Sequence, residues 1–63
     1  MDFKIGERYV LVISVETNDG TKKTLTFQAT ILSESDNFVE FEDKNGNKYG
    51  YNKNTVMNYR RVE

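Results

Sequence analysis

The chain has no histidine, cysteine, tryptophan or proline among its 63 residues. Without cysteine no disulfide can brace it, and without Cys or His an ordinary zinc site is out of reach. The same two residues most often supply a group that titrates near neutrality or an activated nucleophile. The composition therefore weighs against catalysis, and no cofactor is expected. With proline absent, turns fall to Asn, Asp and Gly. Long apolar runs are missing too. Tyr9 to Ile13 is the longest, far short of the ~20 residues of a membrane span. Met1-Asp2-Phe3-Lys4 lacks the basic start and long apolar stretch of a secretory signal. The expectation is a cytoplasmic protein with no membrane partner. Nor does one sign of charge dominate. Nine Lys and Arg face ten Asp and Glu, for a net charge of -1. That argues against a generic nucleic-acid binder, which needs a strong basic excess, and leaves room only for a local basic patch.

A chain this short forms one domain, residues 1–63. It buries roughly 60% of its unfolded surface, so its stability is thin. The core must be apolar, with weak self-association as the one external aid open to it. Four Phe and four Tyr give such a core much area per residue.

The pattern is of period two. Gly6 to Thr17 reads as a first strand, with Tyr9, Leu11, Ile13 and Val15 on one face and Val10, Val12, Ser14 and Glu16 on the other. Asn18-Asp19-Gly20 is a turn in which positive φ is tolerated. Lys23 to Ser33 alternates most cleanly, with Leu25, Phe27, Ala29 and Ile31 opposite Thr24, Thr26, Gln28 and Thr30. After the polar turn Glu34 to Asn37 come a short strand, Phe38 to Asp43, and the turn Lys44-Asn45-Gly46-Asn47. Asn-Gly is the strongest short-range hairpin signal. Lys48 to Tyr51 is the fourth strand, Asn52 to Thr55 a single 3₁₀ turn, and Val56 to Val62 the fifth strand. No segment carries a helical period. The predicted fold is all-β: a five-stranded antiparallel small barrel with one 3₁₀ turn before the last strand. Leu11, Ile13, Leu25, Phe27, Ile31, Val39, Phe41, Tyr49, Val56 and Val62 are the expected core.

A long first hairpin, two short hairpins and a helical turn leading into a last strand resemble an SH3-like small barrel. The segment Asn54-Thr55-Val56-Met57-Asn58-Tyr59 is similar to the place in such domains where a helical turn ends in an Asn-Tyr pair. The peptide-binding members imply an acidic projecting loop and a gripping Trp. Here Trp is absent, and the first hairpin tip mixes Glu16 and Asp19 with Lys22 and Lys23, so no binding residues carry over. An OB-like barrel is the alternative fold, and it usually needs more residues.

Several residue groups invite a functional reading. Lys48, Tyr51, Lys53, Tyr59, Arg60 and Arg61, with Tyr49 beside them, form the one aromatic–basic mixture. Exposed, such residues stack on bases and meet phosphates, or dock an acidic protein. The competing reading is that the tyrosines close the core with their hydroxyls at the rim. Glu40, Glu42 and Asp43 lie close together, yet a solvated strand face explains them better than a metal or acid–base pair. Asp43 to Asn47 lacks the acid-rich run and distal Glu of a calcium loop. The Thr24, Thr26, Gln28 and Thr30 face is either solvated or a surface for docking or strand addition. Ser14, Ser33 and Ser35 have no His or Cys to activate them. The sequence is thus best read as a non-catalytic protein-interaction module, of the kind a phage or mobile element encodes as an accessory or inhibitor. Its abundant Asn and Lys fit an AT-rich source. The alternative is a nucleic-acid-binding barrel using the C-terminal Tyr/Lys/Arg patch.

Overall fold

A computed structural model describes residues 1–62. Within them lie β1 (Arg8–Glu16), β2 (Lys22–Glu34), β3 (Phe38–Glu42), β4 (Lys48–Asn52), a 3₁₀ turn (Lys53–Thr55) and β5 (Val56–Arg61). All ladders are antiparallel, and the strands lie in the order β4-β3-β2-β1-β5. The fold is all-β, as the alternation implies. Asn52 caps the 3₁₀ turn, its side-chain oxygen accepting from the Asn54 N–H at 3.3 Å.

The expected barrel is not closed by hydrogen bonds. Among the described residues β4 and β5 share no ladder and remain the two edges of one sheet. The reason lies in β2. Its first part, Lys22 to Thr30, pairs with β1, whereas β3 pairs only from Thr30 to Glu34. A register shift between Ile31 and Ser33 marks a bulge at this changeover, and bulges bend a strand and increase its twist. The two hairpins therefore occupy different levels along β2, and their outer strands form no ladder.

Both Gly-containing hairpin tips are built alike. Gly20 N–H donates to the Thr17 carbonyl at 3.0 Å and Gly46 N–H to the Asp43 carbonyl at 3.1 Å. Gly20 and Gly46 have φ of 85° and 84°, while no other residue type has positive φ. A bonded four-residue turn without positive φ at its centre is type I, so each tip is a type I turn followed by a left-handed glycine. This differs from the two-residue turn that Asn-Gly alone suggests, where both central residues need positive φ. The Asp43 side chain completes the second tip, accepting the N–H groups of Asn45 and Asn47 at 2.9 Å each.

The core comprises Phe3, Tyr9, Leu11, Ile13, Ala29, Ile31, Val39 and Phe41. Five expected members, Leu25, Phe27, Tyr49, Val56 and Val62, are only half-buried. Leu25 and Phe27 sit on the part of β2 that β3 does not cover, and Val56 lies on an edge strand. Phe3, Tyr9 and Ala29 complete the core in their place. Phe41 is fully buried, edge-on to Phe27 at 5.1 Å and stacked on Tyr49 at 5.5 Å.

Two stability outcomes follow from this packing. Phe41→Ala should lose ~3–5 kcal/mol, close to the whole stability of so small a domain. Phe27→Ala should lose clearly less in chemical denaturation, and equal losses would contradict the half-buried position of Phe27. Gly46→Val forces a branched residue into left-handed backbone and should lose roughly 1–3 kcal/mol. An unchanged melting temperature would disprove this turn geometry.

Candidate functional site

No ladder sets the six aromatic and basic residues side by side. Lys48 begins β4 and Arg60 and Arg61 end β5, at opposite edges of the sheet. Lys48 stands opposite Glu42. Arg60 pairs with Val10 on the outer face, whereas Arg61 stands opposite buried Tyr9 and bridges Glu7 at 3.3 Å. Tyr51 packs 6.0 Å from both Phe27 and Phe41. Tyr59 packs 5.2 Å from Phe3, with 40% of its surface exposed. The two tyrosines thus belong to separate aromatic groups on the core side. A ladder between β4 and β5 would set these elements side by side, and none forms among the described residues.

Lys53 has a different part. Its Nζ lies 2.6 Å from Glu34 Oε2, and the two side chains are only 15% and 17% exposed. The same carboxylate accepts the Phe3 N–H at 3.2 and 3.3 Å, and Lys53 Nζ also donates to the Met1 carbonyl at 3.4 Å. Residues 1–5 therefore form a strap. One end is tied to the last residue of β2 and to the 3₁₀ turn. The Phe3 ring packs edge-on to Tyr9 of β1 at 5.1 Å and to Tyr59 of β5, and Lys4 N–H donates to the Tyr9 hydroxyl at 3.0 Å. Gly6, with φ of 84°, turns the chain back, and Gly6 N–H and Ile31 N–H stitch it to β2. Glu34 and Phe3 escaped notice in the sequence because each is a single residue outside the alternating pattern.

Two of the three carboxylates singled out in the sequence, Glu40 and Asp43, have local partners. Glu40 accepts from the Ser33 hydroxyl at 2.6 Å. Asp43 serves its turn. Burial raises its pKa, but the N–H groups of Asn47 and Asn45 and the side chains of Asn47 and Tyr49 outweigh that, and the net shift is downward. No three His, Cys, Asp or Glu side chains converge as a metal site among the described residues.

The outer face of β2, β1 and β5 has an uncharged centre. Its cross-strand rows are Gln28–Val10–Arg60, Thr26–Val12–Asn58 and Thr24–Ser14. Val10, Val12 and Ser14 are half-buried, whereas Thr24, Thr26, Gln28 and Asn58 are exposed. Met57, at the β1–β5 register shift, is 65% exposed. Arg8 and Arg60 bound this face at one end, and the Glu16–Lys22 pair bounds it at the other. A hollow of about 370 Å³ at the latter end is lined by Ser14, Glu16, Lys22, Asn54, Thr55 and Met57. The Thr24–Thr30 row faces outward as its alternation implies. Only at Thr30 is β2 paired on both sides; before it the partner is β1, and beyond it β3. No helix is long and apolar enough to cross a membrane among the described residues. Comparison with protein-family models, with curated proteins and with solved structures gives no match.

The Glu34 junction sets the acid behaviour. The Lys53 ammonium, helped by the Phe3 N–H and opposed by burial, holds the Glu34 carboxyl below its ordinary value of 4.5. A carboxyl more acidic in the folded chain contributes its full stability above the ordinary value and loses it as the pH falls further. Asp19, bonded first by the Thr17 and Thr21 hydroxyls, is lowered from 3.8 to about 2, so its contribution persists to lower pH. Glu34→Gln keeps an acceptor for Phe3 but loses the charge, and should cost about 1–2 kcal/mol at neutral pH. Its melting temperature should fall less steeply than the wild type's just below pH 4.5. Parallel curves would remove Glu34 from this role.

Proposed function

We propose that this chain is a non-catalytic protein-interaction module on an SH3-like small barrel, working in the cytoplasm. The scaffold reading is supported by the strand order β4-β3-β2-β1-β5 and by the 3₁₀ turn leading into β5. The observation that carries the function is the outer face of β2, β1 and β5. Charge is depleted at the centre of protein–protein interfaces and kept at the rim. Here Val10, Val12, Ser14, Thr24, Thr26 and Asn58 make an uncharged centre, and Arg8, Arg60, Glu16 and Lys22 make the rim. In a chain with 30% charged residues such a segregation needs a reason, and docking supplies one. The open, β-branched surface suits another folded protein better than a small molecule, which asks for an enclosed pocket. A phage or mobile-element accessory protein would fit this small scaffold.

The test is capture of partners from a lysate with and without nuclease, by the wild type and two variants. Thr26→Glu places a charge in the centre of the face and should abolish capture while shifting stability by only ~0.5 kcal/mol. Arg60→Glu with Arg61→Glu should weaken capture without abolishing it. Unchanged capture by Thr26→Glu would reject the face. A nuclease-sensitive partner lost steeply with salt would instead support the basic-residue, nucleic-acid reading.

A further inference from the structure

We propose that Asn45 is a site of spontaneous chemical modification, converting to aspartate and isoaspartate with loss of ammonia, and that the β3–β4 tip holds this reaction back and is loosened by it. The reaction needs no group beyond the turn and solvent water. The Gly46 backbone nitrogen, having given its proton to solvent, attacks Asn45 Cγ. An N–Cγ bond forms, the bond from Cγ to the side-chain nitrogen breaks, and that nitrogen leaves as ammonia. Water then opens the cyclic imide. Cleavage at Cγ leaves aspartate. Cleavage at the main-chain carbonyl carbon leaves isoaspartate, with an extra carbon in the backbone.

Of the chain's seven asparagines, only Asn45 precedes a glycine. A Cβ on the following residue hinders the attacking nitrogen, and glycine has none. The tip is also open: a Cβ built on Gly46 meets nothing within 4 Å. Asn45 is exposed, and among the described residues its carboxamide has no hydrogen-bond partner. By contrast, Asn47 Nδ2 donates to Asp43 at 3.3 Å, and Asn52 Oδ1 accepts the Asn54 N–H at 3.3 Å. The brake is the turn's own backbone. Gly46 N–H donates to the Asp43 carbonyl at 3.1 Å, so the nucleophile stays occupied until the turn opens locally. The other tip is an internal control. Asp19-Gly20 sits in the same kind of turn, yet Asp19 presents a carboxylate, a poor target for attack, and the Thr17 and Thr21 hydroxyls both donate to it. Either product disturbs the β3–β4 tip, where Asp43 Oδ1 accepts the Asn45 and Asn47 N–H groups at 2.9 Å each. Aspartate sets a second carboxylate beside Asp43, and isoaspartate lengthens the backbone between those two N–H groups.

The test incubates the full chain at mildly alkaline pH, folded and in unfolding urea. It follows, by mass spectrometry of the fragments, the mass change of an ammonia lost and a water taken up. Conversion should begin at Asn45 and run faster as the pH rises. It should be ~5–10-fold faster in urea, the factor that releasing one hydrogen bond supplies. In urea, where folding no longer matters, Gly46→Ala should slow it. Asn45→Gln, whose longer side chain closes a ring less readily, should remove the early product. The purified isoaspartyl form should melt below the wild type. Earlier conversion of another asparagine, or an intact Asn45 in the folded chain long after complete conversion in urea, overturns the site. Equal rates with and without urea overturn the brake, and an isoaspartyl form that melts with the wild type overturns the loosening.

Discussion

One carboxylate joins parts of the chain that no ladder connects. Glu34, the last residue of β2, accepts the Phe3 N–H on both carboxylate oxygens and pairs with the Lys53 ammonium through Oε2. Exposed ion pairs contribute little, because water screens them and ordering long side chains costs entropy. This pair is different in degree. Both side chains are more than four-fifths covered, and the backbone N–H adds a charge-assisted bond. Through it the strap, the 3₁₀ turn and the far end of β2 become one structure. The sheet, left open between β4 and β5, is spanned by this junction and by the Phe3 ring instead of by a closing ladder.

So small a chain has little core with which to correct local mistakes, and its local signals agree with its global shape. Three glycines, Gly6, Gly20 and Gly46, hold nearly the same φ of 84–85°. Each stands where the chain reverses: at the strap hinge, at the β1–β2 tip and at the β3–β4 tip. The fourth, Gly50, has extended backbone and a different reason to lack a side chain. A Cβ there would lie 3.1 Å from the Phe38 ring, which covers the glycine from across the β3–β4 pair.

The strands were legible because period-two alternation is a local property, and each observed strand lies within one or two residues of its expected span. What depends on register was not. Whether Lys48 meets Arg60 depends on whether β4 reaches β5, and that in turn depends on where β2 passes from one partner to the other. No residue announces that changeover; the bulge at Ile31 to Ser33 falls within an otherwise regular pattern. The half-burial of Phe27 has the same origin. Phe3 was hidden for another reason. An isolated aromatic ahead of a strand has no period, so only the tertiary slot between Tyr9 and Tyr59 reveals that it belongs to the core.

The edges and the face of this sheet are treated in opposite ways, which bears on how the molecule meets others. An open edge invites another strand, and proteins blunt it with bulges, short strands and inward-pointing charges. β5 has the first and third of these: a register shift at Val12 to Ile13 and Arg61 standing opposite buried Tyr9. β4 has the second, with five residues, and begins on Lys48. The outer face of β2, β1 and β5 carries no such guard. Its centre is uncharged, its valines are half-covered, and its charges stand at the ends. Under the proposed docking, the neutral broad side would pack face to face with a partner, and the blunted edges of β4 and β5 would keep that contact from growing into an extended sheet.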